Sequence, residues 1–285
     1  MDDLASLEEK IARAELSLKQ EAEVAARIVA KQEATTLAFC RRLMAIIRVV
    51  GDAKKGALPS SGWRVIVISL LVKMFSTVRS ATTLAEASHG RELSIVVRSA
   101  LESLITALFI AKMDSARRAK HWAEYAEFLK ARFLTKHPDL STKAEHTKAR
   151  ARILAHAAGL KGLFPNPNLW ASGLQKGSLR ALSEDVGMVW YYDVVYWSGS
   201  QATHASPIAV ANYLEISPDD RPRFSMGPSG KHLGGELAVC CDLVIWGLQL
   251  LNEISKLGIE GLLTEIVAEY KSAFGGDPFV EMAGC

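Results

Sequence analysis

The stretch 94–113, SIVVRSALESLITALFIAKM, is apolar around almost its whole circumference when wound as a helix. A helix without a polar face must be surrounded by other elements, so this segment predicts a bundle with itself as the enclosed central helix. Two charges interrupt it, Arg98 and Glu102, and at i and i+4 they project from one face within reach of an ion pair. Stripping water from either ion without a partner is costly, so a buried pair needs a reason. One reason is a salt bridge that fixes helix register. The other is a site in which the arginine orients an anion or the carboxylate holds a catalytic base.

The rest of the chain supplies the surrounding helices. Residues 3–50 hold no proline or glycine, are rich in Ala, Glu, Lys and Leu, and place Leu4, Leu7, Ile11, Ala14 and Leu18 at intervals of three and four. That pattern predicts one long amphipathic helix or two in line. Its first half is polar enough to project as an arm or to pair with another chain, while Leu37, Leu43, Ile46, Ile47 and Val50 make its second half apolar enough to join a core. Residues 51–62, with Lys54, Lys55, Pro59 and two serines, read as a linker. Segments 63–89 and 91–113 predict an αα-hairpin that turns near Gly90.

Beyond it, Asp114 and Ser115 offer a cap to a charged helix over 116–136, and His137-Pro138 ends that helix before another over 140–158. Residues 164–177, FPNPNLWASGLQKG, read as a loop. One helix is predicted from Ser178 through VWYYDVVYWSGSQATHAS, stopping before Pro207. Residues 212–229, with Pro218, Pro222 and Pro228, predict an irregular surface turn or a short β-hairpin, and helices over 234–257 and 259–274 complete the chain. The fold class is all-α: a multi-helix bundle with a helical arm over 1–50, the linker 51–62 and a helical core domain over 63–285.

Charge and cysteine usage narrow the function classes. The net charge of +3 is too small to argue for a nucleic-acid partner from the whole chain, but its distribution is uneven. The first 35 residues lean acidic, whereas the region 117–152 carries Arg117, Arg118, Lys120, Lys130, Arg132, Lys136, Lys143, Lys148, Arg150 and Arg152. That region is either an RNA-facing surface or a solvated helix face. Cys40, Cys240, Cys241 and Cys285 form no CxxC and no His/Cys metal spacing, and they suit a reducing, cytoplasmic setting. The apolar runs 65–71 and 243–251 are short against a bilayer, and 93–111 is interrupted by Arg98 and Glu102, so no membrane span and no signal peptide are expected. With no Gly-rich phosphate loop, no GxSxG elbow and no His-Glu-x-x-His, neither a cofactor nor a metal is expected.

Three further pairings carry chemistry. Ser200 and His204 stand at i and i+4 in a helix studded with Trp190, Tyr191, Tyr192, Tyr196 and Trp197. They are either a hydroxyl beside a proton-carrying imidazole or a core histidine satisfied locally. Glu86 and His89 have the Glu-x-x-His spacing of carboxylate-bridged dimetal sites, which need the motif twice, and it occurs once. Arg150 and His156 satisfy a loose arginine-to-histidine spacing used by a helical nuclease superfamily, but six apart they do not share a helix face.

Taken in order, Arg-Ser-x-x-Glu (Arg98, Ser99, Glu102) on an apolar helix, Trp170 in a loop, and Tyr-x-x-x-Ser-x-x-x-His (Tyr196, Ser200, His204) give a pattern that resembles a widespread bacterial family catalogued as a domain of unknown function. The resemblance spans roughly 63–257. It implies an all-helical fold and a shared polar centre that unites Arg98, Glu102, Ser200 and His204, and it brings no established activity. By analogy with other helical bacterial ribonucleases, a converged centre implies metal-independent acid/base chemistry on a phosphodiester, of the defence or toxin type. His204 would move the proton, Glu102 would set its tautomer or pair with Arg98, and Arg98 would stabilise the developing charge. The competing expectation is a non-catalytic interaction or scaffold protein. In it the four residues form a structural polar clasp and the arm mediates self-association.

Overall fold

The computed structural model describes residues 2–53, 62–140, 144–160, 162–174, 176–204, 206–216, 222–224, 228–230 and 232–276. The chain is all-α, as the apolar periodicities predicted. In order, the helices are α1 (Asp2–Gln32), α2 (Ala34–Ala53), α3 (Trp63–Glu86), α4 (Gly90–Lys112), α5 (Ser115–Lys136), α6 (Ala144–Ala158), α7 (Leu179–Asp185), α8 (Val189–Tyr191), α9 (Trp197–Thr203), α10 (Pro207–Ala211), α11 (Leu233–Ser255) and α12 (Glu260–Phe274). A π-helical turn, Tyr192–Tyr196, joins α8 to α9, and a 3-10 helix occupies Trp170–Leu174. Strands β1 (Leu214–Ile216) and β2 (Pro222–Phe224) pair antiparallel, Leu214 opposite Phe224, which realises the hairpin expected within 212–229. Pro222 takes the first position of its strand, where a missing N–H does least harm.

Two compact units divide the chain: Met1–Leu58, Leu71–Leu104 and Trp190–Met282 form one, and Pro59–Leu70, Ile105–Val189 and Ala283–Cys285 the other. In the first unit α1 and α2 are nearly one rod. The backbone bonds Glu33 N to Val29 O (2.8 Å) and Leu37 N to Glu33 O (2.9 Å) carry the helical pattern across the break. Val29, Leu37, Phe39, Cys40, Leu43 and Val50 are buried on successive turns, and Phe39 meets Tyr270 and Phe274 edge-on at 6.0 and 5.9 Å, so α2 is held by α12. The expected linker starts later than predicted, because α2 continues through Gly51 to Ala53 and residues 54–61 lie outside the described ones. A helical glycine costs about 1 kcal/mol, too little to stop a helix whose Val50 is already packed.

Helix α11 is as enclosed as α4. Fifteen of its 23 residues are buried, and at Gly247 a Cβ would stand 2.3 Å from Met74, so α3 crosses it closely. Helix α4 is less enclosed than its sequence predicted: Leu93, Val97, Leu101, Leu104 and Ile105 are buried, but Ile95 and Glu102 are exposed. Glu102 lies on a wet face, whereas Arg91, Ser103 and Thr106 are buried. By length and composition α3, α4 and α11 are each apolar enough to cross a membrane, whereas the runs read in the sequence were cut short by single polar residues.

In the second unit α5 packs on α6, and Phe164 gathers His121, Tyr125 and Phe128 at 4.6, 5.2 and 5.1 Å between ring centroids. Trp170 meets Phe109 edge-on at 5.8 Å. The long helix expected from Ser178 is broken. Ser178 caps α7 by accepting from Ala181 N at 3.2 Å, and α7 then stops at Val186-Gly187, where Gly187 takes φ +74°, a conformation only glycine adopts freely.

Candidate functional site

From Trp190 onward, the segment that runs through the π turn to α9 belongs to the first unit. A π turn inserts one residue into a helix and is most often found where function or packing needs the register shifted. Here it brings Tyr192 and Tyr196 into a stack, 4.7 Å apart and inclined by 14°. The segment is fastened at both ends.

At its end the fastener is Arg98 of α4. Its Nη2 donates to Tyr196 Oη at 2.9 Å, its Nη1 donates to Thr203 Oγ1 at 3.3 Å, and its guanidinium carbon lies 4.4 Å from the Tyr196 ring centre. Thr203 Oγ1 in turn donates to Gly199 O at 2.7 Å. Between these contacts α9 rests on the α4 backbone: a Cβ on Gly199 would meet Ser94 O at 2.5 Å and Arg98 Cβ at 2.7 Å, so no larger residue fits the crossing.

At its start the fastener is Asp242, in the middle of α11. Its Oδ2 accepts from Tyr191 Oη at 2.8 Å, while its Oδ1 is buried with no hydrogen-bond partner. Burial raises this carboxyl to about 6, although the Tyr270 and Tyr191 hydroxyls pull the other way. Burial, reinforced by Asp242, pushes both phenols up in turn. Six residues earlier in α11 burial lifts Glu236 to about 7. Cys40 Sγ of α2 approaches Cys241 Sγ at 3.3 Å, and burial helps push the Cys240 and Cys241 thiols up. Asp242, Cys40, Cys240 and Cys241 are buried in the core, with Glu236 partly buried beside them.

The residues proposed from sequence are only partly brought together. Arg98 is partly buried, but Glu102 is exposed and makes no ion pair with it among the described residues, which corrects the picture of a buried pair. The physical reason is that Arg98 turns toward the Tyr196 ring and hydroxyl on the neighbouring helix. Ser200 is partly buried and His204 exposed; His204 N bonds Ser200 O at 3.1 Å as the cap of α9, and no side-chain bond joins the two. Glu86 accepts from Arg41 Nε at 2.7 Å, and His89 lies 3.8 Å from Glu92. No group of three or more His, Cys, Asp or Glu among the described residues is placed to hold a metal ion. Arg150 donates to the carbonyls of Leu134 (3.2 Å) and Pro138 (2.8 Å), closing the end of α5.

Sequence reading missed Asp242 and Tyr191, although a lone acid inside the apolar run of α11 is the same kind of signal as Arg98. Chemically, the arrangement offers a guanidinium already engaged by a phenol and a hydroxyl, and a carboxyl that holds its proton close to neutrality.

No curated protein and no solved structure matches the chain. Residues 64–222 match a family described as a family of unknown function, DUF5677. The match holds Arg98, Glu102, Trp170, Ser200 and His204 but ends in β2, so the family segment stops short of the 257 expected and leaves α11 and α12 outside it. It covers more than half of the chain, and on that ground the chain belongs to the DUF5677 family of unknown function.

Proposed function

We propose that this DUF5677 protein is a non-catalytic interaction protein, in which Arg98 is a structural clasp and α1 is the arm through which two copies associate. The observation that carries the reading is the engagement of the Arg98 guanidinium by Tyr196 and Thr203, with Glu102 and His204 left exposed. A cation that must stabilise a transition state needs donors aimed at the substrate. Here Nη1 and Nη2 are aimed at protein oxygens, and Nε is buried without a partner. Helix α1 supports the second half: Ile11, Leu18 and Ile28 are about half exposed along a three-and-four apolar stripe, a seam for a matching helix. The test compares Arg98→Lys with His204→Ala. Loss of thermal stability in the first, with none in the second, supports the clasp; unchanged stability in Arg98→Lys overturns it.

A second reading has one observation in its favour. Arg98 reaches Thr203, the neighbour of the exposed His204, so a cation and an imidazole sit on adjoining positions. That is the minimum for a ribonuclease-like, defence-type activity with RNA held by the 117–152 region. Equal RNA degradation, or equal cellular toxicity, by wild type and His204→Ala sinks it.

A further inference from the structure

We propose that the first turn of α5 and the Trp170–Leu174 turn with Lys176 form a binding site for a phosphate group, at a cavity in the second unit. The cavity holds about 240 Å³ and is lined by Phe109, Arg117, Arg118, Gly173 and Lys176, with Asp114 at its rim. Three cations converge on a space larger than one phosphate, which leaves room for part of the group it is attached to.

Arg118 carries the argument. Its Nη1 donates to Phe109 O, and its guanidinium carbon lies 3.7 Å from the Phe109 ring centre, so the fork is held rigidly. No carboxylate comes within 4 Å of it among the described residues, and no protein acceptor meets its Nη2 or Nε, neither of which is buried. Asp185 and Asp114 act on it only from beyond ion-pair distance, and a partly buried cation with an open donor edge and no carboxylate in contact is what an anion completes. The Arg117 pair is easily reshaped. Arg117 is 3.6 Å from Asp114 with both side chains mostly exposed, a contact of small worth, and Lys176 is 2.7 Å from Asp185.

The end of the helix favours negative charge at the same place. Helix α5 is long, its N-cap Asp114 lies at φ 50°, and the Asp114 side chain makes no capping bond, so the positive end of the helix is open. One turn further along, His121 is 7 % exposed, with its Nε2 buried and unpartnered. It stands directly behind Gly173, where a Cβ would come within 2.6 Å of Nε2. A glycine is therefore required in the wall that separates the imidazole from the cavity.

Phosphate chemistry has two sources here, a small phosphomonoester or the backbone of RNA. The site does not depend on α1 or Arg98, so its failure leaves the proposed function untouched. The test is a thermal-shift and calorimetric titration of the full chain with inorganic phosphate, a nucleoside 5′-monophosphate and a short single-stranded RNA, each against chloride at matched ionic strength. Phosphate is expected to raise the melting temperature of wild type by mass action, and Arg118→Gln is expected to weaken binding on the order of tenfold or more. Should Arg118→Gln fold poorly, the exposed-side double substitution Arg117→Ala with Lys176→Ala must show the same loss. Tighter binding of the monophosphate than of phosphate, lost in the variants, assigns a small-molecule source; tighter binding of RNA alone, lost likewise, assigns the backbone. No saturable binding, or equal binding by wild type and the variants, overturns the site.

Discussion

The carboxyl of Asp242 holds its proton more tightly in the folded chain than in the unfolded one, because burial in α11 penalises the charged form and lifts it from 3.8 to about 6. A carboxyl raised in this way contributes stability that is full below its unfolded value and is lost as the pH rises through the folded value. At about 1.4 kcal/mol per unit, the gap amounts to on the order of 3 kcal/mol lost between roughly pH 4 and pH 7. Glu236, lifted to about 7, adds a loss of the same sign. Urea unfolding of Asp242→Asn is expected to show a shallower decline with pH than wild type. The amide keeps an acceptor for Tyr191 and loses the titration, so an equally steep decline would show that Asp242 is not the titrating group. The signal was legible in the sequence as an acid inside an apolar run. Its partner was not, since Tyr191 is brought to it from another element 51 positions away.

The arginines of the 117–152 region teach the same lesson at residue scale. In sequence they are one basic stretch; in the structure Arg118, Arg132 and Arg150 each donate to a main-chain carbonyl, while Arg117, Lys120, Lys130, Lys136, Lys148 and Arg152 are exposed. Hydrogen bonds from charged donors to carbonyls are worth about 1.5–3 kcal/mol, and exposed charges away from such contacts about 0.5 or less. Arg150→Ala is therefore expected to lower the unfolding free energy by a kcal/mol or more, and Lys148→Ala to leave it within error, as read by chemical denaturation.

At the scale of elements, the helix periods predicted α1 to α6 and α11 to α12 closely because apolar residues recur along them every three or four positions, whether that stripe is buried, as in α2, or left exposed, as in α1. The α8–π–α9 segment escaped for a physical reason. A single inserted residue rotates everything after it by about 100°, and no pattern averaged over a regular helix records that rotation. Its consequence is local: the shift belongs to the register that sets Gly199 against Ser94 and Arg98, and Tyr196 under the guanidinium. Gly199→Ala is expected to cost about 1–3 kcal/mol, the usual range for forcing a methyl into a packed contact, because the nearest atom is a backbone carbonyl that cannot swing away. Gly235, with nothing near its missing Cβ, is the control: alanine there should be neutral or slightly stabilising. A Gly199→Ala protein as stable in urea as Gly235→Ala would mean that α9 does not rest on α4.

At the scale of the whole molecule, the unit boundaries at 70/71 and 104/105 fall inside α3 and α4, where a continuous helix leaves no compositional mark. Helix α1, by contrast, is legible end to end, and its apolar seam remains exposed in the single chain. A second copy is the occupant proposed for it. In sequence Leu4, Leu7, Ile11, Ala14 and Leu18 keep the three-and-four spacing that lets a helix interlock with a copy of itself, Ala25 and Ile28 resume it beyond Glu21, and Glu9 and Arg13, paired at 2.5 Å, flank the seam without crowding it. Burying a Leu or Ile side chain is worth roughly 1.5–3 kcal/mol, and each contributes twice in a symmetric pair. Light scattering of the full chain should therefore give a dimer whose melting temperature rises with protein concentration. Leu18→Glu with Ile11→Glu should return a monomer, melting independently of concentration, with helicity retained because glutamate is a good helix former. A wild-type monomer at all concentrations would remove self-association from the proposed function and leave the clasp standing. A dimer that survives both substitutions would place the interface elsewhere than on α1.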